Sequence, residues 1–154
     1  ETIDVNVRGF TALADAGMKY YIEKGEGHIA AVSSIAALRG SGECRAYNAS
    51  KAYMSNYLEG LSCRAAALGK RITITDISPG LVDTAMAKGE GLFWVAPPEK
   101  AAKQIWSIIK RRRAKGYVTK RWGLIALLFK IAPRKLYIAG CSRNESARLK
   151  NVKN

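Results

Sequence analysis

Two short apolar runs, separated by a long helical stretch, constrain this chain more than any other feature. Residues 28–32 (HIAAV) lead into Ser33-Ser34, and residues 72–77 (ITITDI) are stopped by Pro79-Gly80. Runs of this length and composition suit strands buried within a parallel sheet. Parallel strands need a crossover between them, and residues 46–68, closed by Gly69, read as the helix that supplies it.

The pattern extends in both directions. From Ile3 to about Glu23, good helix formers carry apolar residues at Val7, Phe10, Leu13, Ala14, Met18 and Tyr21, and Gly25 and Gly27 punctuate the end. Residues 39–45 form a polar, glycine-bearing loop, and residues 81–96 are expected to be a second, mobile one. Pro97-Pro98-Glu99 opens a helix expected to run to about Lys115, where Gly116 breaks it. Tyr117-Val118-Thr119 is a brief third strand. Residues 122–131 read as a short amphipathic helix broken by Pro133, and a last helix spans about 135–141 before the tail frays. Helix and strand alternate three times, which predicts an α/β sheet with right-handed crossovers. Three strands make a thin sheet with one edge of the first strand bare, so further strands are expected on the N-terminal side.

At 154 residues the chain has room for one domain with a modest core. Its 48% hydrophobic and 25% charged content excludes a disordered chain. The longest apolar run, residues 124–129, is far short of the ~20 residues a membrane-spanning helix needs. No basic-apolar-small leader opens the sequence. Cys44, Cys63 and Cys141 follow no metal spacing and leave one over under any pairing, so free thiols in a reducing cytoplasm are expected. His28, the single histidine, lies outside every motif and reads as structural.

Chemistry gathers at the strand ends. Tyr47-Asn48-Ala49-Ser50-Lys51 sets a phenol and an ammonium four residues apart, on one face at the start of a helix. An adjacent ammonium favours phenolate, and a tuned phenol serves as general acid or base for carbonyl and alcohol chemistry. Alone this spacing is a weak signal, because such pairs recur on helix surfaces. Ser34 strengthens it, lying 13 residues earlier at the end of a predicted strand, where α/β sheets place their ligands. Pro79-Gly80-Leu81-Val82-Asp83-Thr84 follows the next strand at the same end, and Asn6 sits on the first helix.

Together with Asp4-Val5-Asn6-Val7-Arg8-Gly9 and Val32-Ser33-Ser34, these segments resemble the short-chain dehydrogenases/reductases in order and in spacing over about residues 1–120. The resemblance implies an α/β fold, the C-terminal part of a Rossmann-type doubly wound parallel sheet, with a helical C-terminal extension over residues 121–154. It implies an oxidoreductase that interconverts a carbonyl and an alcohol by hydride transfer with NAD(P). Tyr47 would pass a proton to or from the substrate oxygen, and Ser34 would polarise that oxygen. Ser33 is one residue too far from Tyr47 for that role. Lys51 would hold the nicotinamide ribose hydroxyls and favour the phenolate of Tyr47, and Asn6 would hold a water in a proton relay behind Lys51. Pro79, Gly80, Val82 and Thr84 would line the nicotinamide, the Val82 backbone and the Thr84 hydroxyl binding its carboxamide. A homo-oligomer through the helices bearing Tyr47 and opening at Ile3 is also implied.

The sequence departs from the family in lacking the TGxxxGxG turn that cradles the pyrophosphate at a helix N-terminus. The adenine-ribose residues that separate NAD from NADP are likewise absent, and NADP(H) is expected only by analogy with cytoplasmic relatives. The chain is therefore expected to be the C-terminal half of such an enzyme, silent when alone. The alternative is a catalytically silent scaffold or a membrane-surface module.

Charge is uneven. Residues 1–109 hold 12 Lys/Arg against 11 Asp/Glu, whereas residues 110–154 hold 14 against Glu145 alone. Trp122, Leu124, Leu127, Leu128 and Phe129, flanked by Lys120, Arg121, Lys130, Arg134 and Lys135, suit either a helix capping a substrate pocket or one lying on anionic lipid. Residues 110–135 are the candidate membrane surface, which fits a lipid-like carbonyl substrate. Specific nucleic-acid binding is not expected, since no recognition fold or interleaved aromatic platform accompanies the basic tail.

Overall fold

The computed structural model describes residues 1–84 and 93–151. The middle of the predicted loop 81–96 lies outside the described residues. The first helix opens as a π-helical segment, Asp4–Gly9, and continues as α1, Phe10–Lys24. Gly25, at φ 82°, ends α1 by donating its N–H back to Tyr21 and Ile22, a left-handed position that favours glycine. Then follow β1 (Glu26–Val32), a 3₁₀ turn (Ile35–Leu38), α2 (Arg45–Ala67) and β2 (Arg71–Pro79). α3 (Pro98–Lys110), β3 (Lys115–Val118), α4 (Trp122–Ile131) and α5 (Arg134–Asn151) complete the order.

The strands form one parallel sheet in the order β1-β2-β3. β2 is central and buried on both faces, as its isoleucines and threonines require. Its alternate residues serve two cores. Ile72 and Ile74 pack with Ala14 and Met18 of α1 and with Leu58, Leu61 and Ala65 of α2. Ile77 turns the other way, onto Val118 of β3 and Ala101 and Ile108 of α3. α2 and α3 therefore cover opposite faces. Both connections step the same way across the sheet, so helices on opposite faces mean crossovers of opposite hand. The expected right-handed rule holds for only one of them.

Two further boundaries and the burial of β1 differ from expectation. α3 stops at Lys110, because Arg112 takes a left-handed conformation (φ 49°) and the chain re-enters the sheet at Lys115, opposite Asp76. Ile108 then lies against Gly116, where a β-carbon would come within 2.5 Å of it. β1 is half-open: Ile29 and Ala31 pack toward α1 and α2, but Ala30 and Val32 are exposed because α3 covers only β2 and β3. α5 runs to Asn151, ten residues beyond the predicted end at Cys141.

Candidate active site

Tyr47 lies in the first turn of α2, half-buried, and Lys51 follows one turn later with its Nζ 5.8 Å from the Tyr47 ring centroid. Lys51 Nζ donates to the Val32 carbonyl at 2.9 Å and contacts Met54 Sδ at 3.5 Å. Val32 is the last residue of β1, so this bond ties the helix bearing Tyr47 to the strand end that carries Ser34. Burial pushes the Lys51 amine below its ordinary value, because the ammonium loses part of its hydration.

Ser34 is extended and caps the 3₁₀ turn, its Oγ accepting the Ala36 N–H at 3.1 Å. Accepting that bond leaves the hydroxyl proton available for donation elsewhere. Asn6 sits on the π-helical segment; its Nδ2 donates to Ser50 Oγ at 3.1 Å, and the Ser50 hydroxyl donates to the Tyr47 carbonyl at 2.8 Å. Asn6 is thus joined to the turn of α2 between Tyr47 and Lys51.

The turn after β2 is held from two sides. Gly80 N–H donates to the Val118 carbonyl, and Val82 bridges Ala96 in parallel fashion. That bridge uses the Leu81 carbonyl (3.0 Å) and the Asp83 N–H (2.9 Å), which turns the N–H of Val82 itself to the opposite side. Thr84 is exposed, and its hydroxyl donates to the Val82 carbonyl at 3.3 Å. Gly80 lies directly beneath Trp122, where a β-carbon would fall 2.2 Å from the indole. Trp122 is buried, and among the described residues its Nε1 has no hydrogen-bond partner. Phe93 and Trp94 stand around it with ring centroids at 5.3 and 6.0 Å.

Sequence reasoning missed a buried polar cluster beneath these residues. Asp76 of β2 accepts from Ser33, from Ser55 at 2.6 Å and from Lys115 Nζ at 2.7 Å, and Ser78 completes the set at 3.4 Å. Burial pushes the Asp76 carboxyl up, but the hydrogen bonds from Lys115, Ser33 and Ser55 together outweigh it and hold it below its usual value. The signal was present: one acid inside an apolar, β-branched strand must find partners. Ser33, rejected as the substrate-facing serine, is consumed here instead.

A groove of about 770 Å³ lies elsewhere, between α1 and α2. It holds none of the residues above. Its Tyr57 hydroxyl donates to Asp15, and that bond leads the shift that takes Tyr57 up to about 12.

A parallel α/β sheet with polar and ionisable side chains gathered at the carboxyl ends of its strands places them where doubly wound folds bind their ligands. A family model for short chain dehydrogenases matches residues 1–92, and the chain belongs to that family. An uncharacterized oxidoreductase of Myxococcus xanthus is 40% identical over 80 residues, covering 52% of this chain and 31% of its own. One from Staphylococcus aureus is 34% identical over 84 residues, covering 54% and 36%. The chain thus spans about a third of the length of the curated relatives it matches. Among solved structures, one concerned with 7beta-hydroxysteroid dehydrogenase stereoselectivity superposes with TM-score 0.74 at 20% identity, covering 91% of this chain and 56% of that one. A Burkholderia cenocepacia short chain dehydrogenase in complex with NADP gives 0.70 at 22%, covering 90% and 58%. These establish a shared fold.

The residues present fit the nicotinamide end of a dinucleotide. They offer a half-buried ammonium at Lys51, an outward N–H at Val82, an exposed hydroxyl at Thr84 and, at Trp122, an indole N–H unpaired among the described residues. The sequence holds no glycine-rich turn for the pyrophosphate.

Proposed function

We propose that these residues form the catalytic half of an NAD(P)-dependent oxidoreductase interconverting a carbonyl and an alcohol. The observation that carries the reading is the Lys51–Val32 hydrogen bond, which holds the Tyr47 helix against the strand end bearing Ser34. The cofactor supplies hydride chemistry when bound. Tyr47 holds the proton that moves to or from the substrate oxygen, and the Ser34 hydroxyl donates to that oxygen. Lys51 keeps positive charge beside the Tyr47 ring and holds the ribose hydroxyls. Asn6 is assigned the water of a proton relay behind Lys51, its amide engaged by Ser50. Pro79, Gly80, Val82 and Thr84 line the nicotinamide. Two of the solved neighbours are complexes with NADPH or NADP, which makes NADP(H) the nucleotide to try first. The rings of Phe93, Trp94 and Trp122 beside Gly80 favour an apolar carbonyl substrate. With no pyrophosphate turn among its residues, this chain alone is assigned no tight nucleotide binding.

The test uses the full-length protein carrying this chain, with NADPH and NADH oxidation followed against a panel of apolar ketones and aldehydes. Nucleotide consumption is expected, and Ser34→Ala should lower turnover by roughly 10²-fold through loss of an oxyanion-type donor. Wild-type turnover in Ser34→Ala refutes its role.

A second reading, compatible with the first, is favoured by α4. Leu124, Leu127, Leu128 and Ile131 are 55–67% exposed on its outer side, beside exposed Lys120, Arg121, Lys130, Arg134 and Lys135. An apolar face rimmed by cations suits the surface of an anionic bilayer, where a lipid-like carbonyl would be met. No helix among the described residues is long and apolar enough to cross a membrane. Co-sedimentation with phosphatidylserine vesicles at low salt, weakened at high salt, is expected; no binding at low salt rejects this reading. A cytoplasmic site fits the free thiols of Cys44, Cys63 and Cys141. Self-association through α1 and α2, which expose Leu13 and Tyr53, completes the proposal; light scattering of a micromolar monomer contradicts it.

A further inference from the structure

The loop between Ser34 and Tyr47 is fastened from outside by the C-terminal helices. The half-buried Arg39 sends Nε to the Phe129 carbonyl at 2.7 Å and an Nη to the Ala132 carbonyl at 2.6 Å. Those carbonyls end α4, where backbone acceptors have no helical partner and the helix dipole favours a cation. The same guanidinium lies 5.3 Å from the Tyr137 ring of α5, and the Tyr137 hydroxyl donates to the Gly40 carbonyl at 2.8 Å. The Glu145 carboxylate of α5 rests over Gly42. On its other side Arg39 is held by its backbone: its carbonyl accepts the Asn48 Nδ2 at 2.7 Å, and Asn48 is buried next to Tyr47. At the far end of α4, Trp122 covers Gly80. α4 therefore spans from the Pro79–Gly80 turn to the loop before Tyr47.

We propose that Arg39 is a positioning residue, a latch anchored beside Tyr47 by the Asn48 bond to its backbone, whose side chain fixes α4 and α5 over the mouth between the two strand-end turns. The proposal rests on the reading of Tyr47 as the acid–base group. Arg39 touches no reacting atom; it sets where the apolar wall of the substrate site stands.

Two readouts in the full-length protein keep the latch separate from the activity. In Arg39→Met, amide exchange over residues 124–138 should speed up roughly tenfold, with residues 54–65 unchanged. KM for an accepted carbonyl should rise about tenfold, while kcat and nucleotide affinity stay within about threefold. Arg39→Lys, which keeps the charge but loses the fork, should fall between. Tyr137→Phe, which removes one hydroxyl and keeps the ring, should move exchange and KM the same way by less. Unchanged exchange over 124–138 overturns the latch. Faster exchange with unchanged KM in all three variants overturns its positioning role, as does a matched fall in kcat, nucleotide affinity and melting temperature. If the wild-type protein turns over no carbonyl, the reading of Tyr47 fails, and the exchange measurement still decides the latch.

Discussion

The Asp76–Lys115 pair gives a stability prediction whose size follows from its surroundings. The Asp76 side chain is 8% exposed and that of Lys115 35%, at 2.7 Å. Removing one partner of a fully buried pair costs about 3–5 kcal/mol. Here Lys115 reaches partly into solvent, and Ser33, Ser55 and Ser78 remain as donors to the carboxylate, so Lys115→Met should cost about 2 kcal/mol. Asp76→Asn leaves Lys115 free to turn into water and should cost about 1.5 kcal/mol. The double variant should cost about 2 kcal/mol, a coupling of about 1.5 kcal/mol in a double-mutant cycle. In a chain of this size, Lys115→Met should melt about 4–8 °C lower. The sign with pH follows from the lowered Asp76 carboxyl. Its contribution is fully present above the unfolded value of 3.8 and is lost as pH falls through the lower folded value. Lys115→Met should therefore flatten the acid limb of the stability profile below about pH 4 and leave the neutral-to-alkaline side parallel to wild type. Denaturant unfolding of the four proteins at pH 7 and pH 3 measures both. A coupling below about 0.5 kcal/mol, the size of an exposed surface pair, would refute the reasoning.

Other expectations are simpler. Gly80→Ala drives a β-carbon into the Trp122 indole, so it should cost about 1–3 kcal/mol in urea unfolding and disturb Trp122 fluorescence; a silent substitution contradicts the close packing. Gly25→Ala places a side chain at φ 82° with open space around it, so the loss should be only about 1 kcal/mol, all of it backbone strain. Lys51→Met removes the bond to Val32, and full-length protein should lose both nucleotide affinity and turnover, where Ser34→Ala loses turnover alone.

The sequence carried the parts of this fold that depend on neighbours in the chain. α4 runs from Trp122 to Ile131 as its apolar spacing and Pro133 imply, and β1 and β2 fall where β-branched and apolar runs predict. What stayed hidden depends on distant partners. Asp76 is explained by Lys115, 39 residues on, and Arg39 by carbonyls 90 and 93 residues away. The π-helical winding around Asn6 keeps the same residues helical and shifts only their hydrogen-bond register, which periodicity does not report. α5 has no apolar stripe to read beyond Cys141; its length follows from good helix formers and the absence of proline after Arg134. The placement of Ser34 at a strand end and of Tyr47 and Lys51 at the start of a helix was legible because strand ends and helix starts are local features. The cluster that consumes Ser33 was not, because it forms across two strands and a helix.

The most direct measurement is the turnover of Tyr47→Phe in the full-length protein, taken beside its nucleotide affinity. Phenylalanine keeps the ring that Lys51 approaches and removes only the hydroxyl. The account predicts a loss of roughly 10²–10⁴-fold in kcat, with nucleotide binding within a few-fold of wild type. Turnover equal to wild type on an accepted substrate would contradict it.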